Sequence, residues 1–256
     1  MASTLWFRHT QSKLVVLCAL AAIVAVARAG DPADSWLSYA SFAAPAGAAI
    51  TMLNATWKVP AMPTSMQGSN APGWWFGVQT ADGNGALVQP ILAFADGDPI
   101  YTIFNGVYDW NDQSWHQFSD SQVQPGQTIV ASLWQTAGDL YTMQIACVET
   151  GWSSTDSYQI VNSQVEAVAY FVLEHQPDSC DAYPADGKMT FEKIYVEVAG
   201  KPVTPTWTAQ IGQNACNSAA HVLDPAQIAF SWSTSAAAPA AVNRTVRARE
   251  CNKFRC

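Results

Sequence analysis

Positive charge is what this sequence has least of. Only 12 of its 256 residues are Lys or Arg, against 20 Asp or Glu. Three of the basic residues (Arg8, Lys13, Arg28) fall within the first 30 positions and five (Arg244, Arg247, Arg249, Lys253, Arg255) lie beyond residue 234. With Glu250 also set aside, residues 31–234 keep four basic and 19 acidic side chains, a charge of −15. A body of that sign repels nucleic acid and anionic membranes, whose hold on proteins is carried by Lys and Arg, so neither is an expected partner. Helical periodicity is nearly absent. After residue 27 no apolar run approaches the ~20 residues of a membrane span. The GxSxG elbow, the HExxH helix and the P-loop are missing, which removes the usual serine-hydrolase, zinc-peptidase and nucleotide-binding readings. The cysteines lack CxxC spacing, and His116, His175 and His221 are scattered, so no metal or cofactor is expected.

What is present begins with an export signal. Arg8 and Lys13 precede the apolar run Leu14 to Ala27, and Ala27-Arg28-Ala29 offers small residues two apart for cleavage before Gly30. Residues 1–29 are read as a signal peptide and the protein as secreted, a retained anchor being the alternative. Cys147, Cys180, Cys216, Cys251 and Cys256 remain beyond it and are the disulfide candidates of an oxidising compartment. Five is odd, so one thiol stays free or pairs between chains. Asn54-Ala-Thr56 and Asn243-Arg-Thr245 are glycosylation sequons.

Residues 30–48 are read as an N-terminal segment, 49–234 as the folded domain and 235–256 as an Ala/Pro linker with a basic, Cys-containing tail. With 49% hydrophobic residues the chain has material for one sizeable core. Short β-runs recur at even spacing: Ile50–Val59, Trp74–Val78, Ala86–Phe94, Ile100–Trp110, Thr128–Trp134, Tyr141–Val148, Ser157–Val161, Ala167–Glu174, Met189–Val198 and Ile228–Trp232. Between them stand turn-forming clusters such as Asp82-Gly83-Asn84-Gly85, Asp96-Gly97-Asp98-Pro99, Pro125-Gly126, Ala137-Gly138-Asp139 and Asp186-Gly187. This pattern predicts an all-β, antiparallel β-sandwich and, with no signal for assembly, a monomer.

Two positions interrupt apolar runs. The segment Ala167 to Leu173 is apolar at both parities, so both faces of that strand should be covered, and Glu174 closes it. Glu174 either marks where the strand meets water or is a carboxyl held in partial burial. In the second case desolvation raises its pKa and suits it to general acid/base work. Gln89 is the only polar side chain between Ala86 and Phe94. A buried amide is either satisfied by backbone or kept for a task, such as stabilising an oxyanion without carrying charge.

Taken in order, Trp36, Asn54-Ala55-Thr56-Trp57-Lys58-Val59-Pro60, Trp74-Trp75-Phe76-Gly77-Val78, Ala86-Leu87-Val88-Gln89, Tyr108-Asp109-Trp110, Val123-Gln124-Pro125-Gly126-Gln127-Thr128-Ile129 and Phe171-Val172-Leu173-Glu174 resemble the glutamic peptidases, or eqolisins. The resemblance spans roughly residues 34–200. It implies a concanavalin A-like sandwich of two packed sheets, a jelly roll, that cleaves proteins in acid without metal or cofactor. It further implies Glu174 as the base that deprotonates water and then protonates the leaving amine, and Gln89 as the amide that orients the water and holds the oxyanion. Trp75, Tyr108, Asp109 and Trp110 would line the groove for a protein or peptide substrate. The chain departs from the family at Gln79, where Asp is usual, at Pro90, where Thr is usual, and at Asp109, where Glu is common.

Two other functions fit a sandwich. One is a noncatalytic, lectin-like carbohydrate-binding protein, in which Trp rings would stack on sugar. The other is a glycoside hydrolase, which needs two carboxylates about 5–10 Å apart; Glu174 with Asp109 is the pair the sequence offers.

Overall fold

The computed structural model describes residues 35–45, 47–64, 72–94, 100–161, 165–174, 180–213 and 215–235. The segment 1–29 expected to be a signal peptide, the tail with Asn243, Cys251 and Cys256, and His175 lie outside the described residues.

Among the described residues fifteen strands form two antiparallel sheets. One sheet holds β1 (Trp36–Ala43), β3 (Gly73–Thr80), β4 (Ala86–Phe94), β5 (Tyr101–Asp109), β6 (Ser114–Val123), β10 (Glu166–Glu174) and β13 (Thr208–Ile211), in the order β13-β1-β10-β3-β4-β5-β6. The other holds β2 (Ile50–Lys58), β7 (Thr128–Ala137), β8 (Leu140–Cys147), β9 (Ser153–Gln159), β11 (Lys188–Val198), β14 (Ala219–Asp224) and β15 (Gln227–Ser231), in the order β14-β15-β11-β2-β7-β8-β9, with β12 (Lys201–Val203) paired beside β11. The fold is a β-sandwich, as the alternating pattern predicts.

Between the sheets lies an aromatic core. Phe171 of β10 sits 4.9 Å from Phe191 of β11 by ring centroid, Trp57 lies 5.1 Å from Phe191, and Phe76 lies 5.3 Å from Phe171. Each of these side chains is essentially fully buried. Each such burial contributes about 1.5–3 kcal/mol. In β3, β4 and β10 the residues are buried at both parities, so the strands that carry the catalytic candidates are covered on both faces.

The topology corrects the start of the domain and removes Cys147 from the disulfide candidates. The sandwich begins at Trp36, before residue 49, because β1 pairs with β10 along Trp36 to Ala43. Its run of Ser and Ala among the aromatics gave no clean alternation. The Pro125-Gly126 turn joins β6 to β7 in different sheets, and is therefore a crossing and not a hairpin; Asp82–Gly85 and Ala137–Asp139 do close hairpins. Cys180 bonds Cys216, while Cys147 is a buried free thiol. Cys147 lies at the end of β8 beside the Thr128 to Ile129 edge of β7, with no second cysteine against it among the described residues.

Candidate active site

A strand's side chains alternate faces, so the register assigns every candidate to one side of the seven-stranded sheet. Val172 of β10 stands opposite Trp75 of β3, Trp75 opposite Ile91 of β4, and Glu174 opposite Gly73. Glu174, Trp75 and Gln89 therefore share the face turned away from the second sheet. Trp75 is midway, with Gln89 beside Gly77, whose partner on β10 is Tyr170, and Glu174 opposite Gly73, so the two candidates stand about 13 Å apart along the strands.

Glu174 is half-buried and held at both oxygens. The Ser35 hydroxyl donates to Oε1 at 2.7 Å and the Trp75 indole Nε1 donates to Oε2 at 2.6 Å. These donors hold the carboxyl group in one fixed orientation. Trp36, which pairs with Glu174 across the ladder, packs edge-on against both Trp75 and Tyr170, each at 5.0 Å. The carboxylate thus stands on a floor of buried rings.

Gln89 is 4% exposed, and its amide oxygen is buried with no hydrogen-bond partner. Leaving such a group unmade costs about 1–3 kcal/mol, so the position is one that a water or ligand would satisfy. Its neighbours on both sides are glycines. A Cβ on Gly77 would meet the Val88 carbonyl oxygen at 2.5 Å and the Gln89 Cβ at 3.2 Å. Gly106 faces Gln89 across the β4–β5 ladder, and a Cβ there would meet the Trp115 ring at 2.4 Å. The missing side chains let the Trp115 ring lie down against β5 beside Gln89.

Pro90 has no N–H to donate. The β4–β5 ladder runs unbroken past it, whereas the β3–β4 ladder lacks the pairs of Phe76 and Gly77 with Pro90 and Gln89. The open rung lies beside the amide. Gln79, the other departure from the family pattern, is fully buried and donates from Nε2 to the Gly83 carbonyl at 3.0 Å, which ties down the β3–β4 turn.

Tyr108 shares the face of Gln89 and packs against Trp110 at 4.2 Å. Asp109 does not. It pairs with Ala86, faces the second sheet at 2% exposure, and accepts from Tyr158 OH of β9 at 2.9 Å and from the Asn111 amides at 2.8 Å. The expectation of Asp109 as a groove acid is corrected by parity. The same parity puts Asp109 and Glu174 on opposite faces, so the glycosidase pair is not assembled. Among the described tryptophans none is fully exposed, and Trp110, Trp115, Trp134 and Trp152 are half-buried. His116 bonds Ser114 and His221 bonds Ser231, away from Glu174. Asn54 lies within β2, half-buried, between Tyr195 and Ser132.

Sequence reasoning missed the roles of Ser35 and Gly106. Ser35 reaches Glu174 across 139 positions, and no local pattern announces that contact. Gly106 did carry a signal, since a lone glycine inside a strand marks a close approach.

No family model matches the sequence, and no curated protein matches it. Solved structures do. A scytalido-glutamic peptidase bound to a transition state analog inhibitor aligns with a TM-score of 0.56 at 19% identity, over 77% of this chain and 98% of that one. SCP-B, a member of the eqolisin family in complex with the tripeptide Ala-Ile-His, aligns at 0.55 and 17% identity with the same coverage. The aspergilloglutamic peptidase from Aspergillus niger aligns at 0.51 and 20% identity, over 64% of this chain and 99% of that one. The sandwich of this chain is the fold of those peptidases.

Proposed function

We propose that the chain is a secreted endopeptidase of the glutamic type, in which Glu174 and Gln89 activate water for hydrolysis of a peptide bond. The observation that carries the reading is the shared face: a carboxylate fixed by two donors and a buried amide whose oxygen has no partner lie on either side of one indole, about 13 Å apart along the strands, on a fold common to glutamic peptidases.

The chemistry needs only these groups. The Glu174 carboxylate takes a proton from water as the water oxygen bonds to the scissile carbonyl carbon. The carbonyl electron pair moves to its oxygen, and the Gln89 amide NH₂ donates to that oxyanion. Glu174 then returns the proton to the amide nitrogen as the C–N bond breaks. Trp75 keeps the carboxylate aimed, and Tyr108, Trp110 and Trp115 form the wall where substrate side chains rest. Activity in acid fits the −15 body, whose self-repulsion fades as pH falls. Fold and site together favour peptide over sugar, because Asp109 is turned inward and does not form a carboxylate pair with Glu174.

The test is digestion of a denatured protein by the purified mature chain across acid to neutral pH. Cleavage should peak below neutrality, resist pepstatin and vanish in Glu174→Gln, while Gln89→Ala lowers kcat about 10²–10³-fold. Absence of cleavage by the folded protein, or cleavage undiminished in folded Glu174→Gln, overturns the proposal.

A further inference from the structure

Gln89 is 4% exposed although a glycine stands on either side of it, so side chains from outside its own line must cover it. On the face turned away from the second sheet, Tyr170, Gly77, Gln89 and Gly106 fall on one line across β10, β3, β4 and β5. The next line, two residues or about 7 Å toward Glu174, is Val172, Trp75, Ile91 and Phe104, all buried and bulky. The line on the other side carries Val168, Leu87 and Tyr108. Glycines between two such ridges make the Gln89 line a trough across the sheet.

Trp115 fills the β5 end of that trough. It belongs to β6 and pairs with Tyr108, yet its six-membered ring reaches diagonally to Gly106: a Cβ at 106 would lie 2.4 Å from Cη2 and 2.9 Å from Cζ2. The ring thus takes the place of the side chain that β5 lacks. Phe104 meets it edge-on at 6.4 Å by centroid, and Ile91 Cδ1 would lie 3.1 Å from that same Cβ, so the ridge toward Glu174 braces the ring. Trp115 is itself half-buried, which leaves part of it open to a ligand. A glycine inside a strand weakens it and marks a close approach; here the approach is that of one indole.

We infer that Trp115 determines specificity: beside Gln89 it leaves room only for a small side chain, that of glycine, alanine or serine, on the residue whose carbonyl the Gln89 amide holds. That residue is the one N-terminal to the bond cleaved. This role for Trp115 rests on Gln89 serving as the oxyanion amide. For the carbonyl oxygen to come within hydrogen-bond reach of the amide, the α-carbon next to it and the side chain it bears must enter the trough. A leucine or phenylalanine side chain there needs the volume that the indole already holds, and a packed site does not yield that volume freely. Even one methylene too many in such a site is worth about 10–200-fold in discrimination.

The experiment incubates the full mature chain, Trp115→Ala and Trp115→Leu in acid with a library of peptides from a digested proteome and reads the cleavage sites by mass spectrometry. The parent should cut after glycine, alanine and serine. Both variants should cut after leucine, phenylalanine and tyrosine at least about tenfold more often, relative to alanine, than the parent does. Phosphinic pseudopeptides with the alanine or phenylalanine side chain before the replaced bond give a readout that needs no cleavage. In calorimetric titration the parent should bind the alanine form at least about tenfold more tightly, and Trp115→Ala should lose that preference. Cleavage with one profile in parent and folded variants would keep the dyad and overturn the role of Trp115. A parent that cleaves nothing but binds with the stated preference, lost in Trp115→Ala, would overturn the dyad and keep the size limit. A parent that cuts mainly after bulky residues, or binds both pseudopeptides alike, would overturn the inference directly.

Discussion

Glu166 carries the largest unpaid electrostatic cost among the described side chains. It is fully buried at the start of β10, and neither carboxyl oxygen has a hydrogen-bond partner. Burial pushes its pKa well above the ordinary 4.5, and the negative charges of Asp82 and Asp109 push in the same direction. A carboxyl in that setting is held protonated. Because the unfolded chain releases this proton near the ordinary value and the folded chain only at higher pH, its contribution to stability is fully present below about 4.5 and is lost as pH rises through the folded value. Glu166→Gln keeps the shape and removes the ionisation. Thermal melts of the parent should drop from mild acid to neutral pH more steeply than those of Glu166→Gln; equal slopes would refute the assignment. This gives a reason within the fold for a preference for acid that is separate from any catalytic carboxylate.

At the scale of elements, β3 and β4 set the spacing of the site. The Cβ of alanine at Gly77 would press on the Val88 carbonyl, a backbone atom that no rotamer change can move aside. Gly77→Ala should therefore separate the two strands, costing about 1–3 kcal/mol in urea unfolding and lowering cleavage more than a surface substitution of equal stability cost. Unchanged unfolding and cleavage would show that the rung is looser than its geometry says. The strands that meet both sheets' interiors were legible beforehand: Ala86–Phe94 matches β4 at both ends, and the Ala167–Glu174 run differs from β10 by one residue. β6 was not, because its sequence SWHQFSDSQV belongs to an edge strand that faces water and needs no alternation. β13 and β14 are likewise edge strands with mostly exposed residues. Gln89 and Glu174 stood out because each is a polar residue bounding or breaking an apolar run. Asp109 was misjudged because proximity in sequence to Tyr108 says nothing of parity, and one step along a strand reverses the face.

At the scale of the molecule, the bond between Cys180 and Cys216 ties the segment after β10, and so the end of the strand that bears Glu174, to the segment leading into β14 of the other sheet. The bond closes a loop of 36 residues in the unfolded chain. The entropy of closing a loop of that length corresponds to about 4 kcal/mol of stability. Trp232 packs nearby, donating from its indole to the Pro184 carbonyl at 2.8 Å and stacking on Tyr183 at 5.7 Å, so the staple fastens a region already well packed. The double variant Cys180→Ser, Cys216→Ser should therefore fold to the same sandwich, seen as an unchanged far-ultraviolet dichroism spectrum, but unfold at a distinctly lower urea concentration. A midpoint equal to that of the parent would mean that the packing alone holds the sheets at this end. Because Ser35 and Trp75 fix Glu174 from β3 and from the residue preceding β1, and neither belongs to the stapled segment, cleavage by the folded double variant should persist at low temperature. The disulfide would then act on the lifetime of the folded chain and leave the geometry of the carboxylate intact.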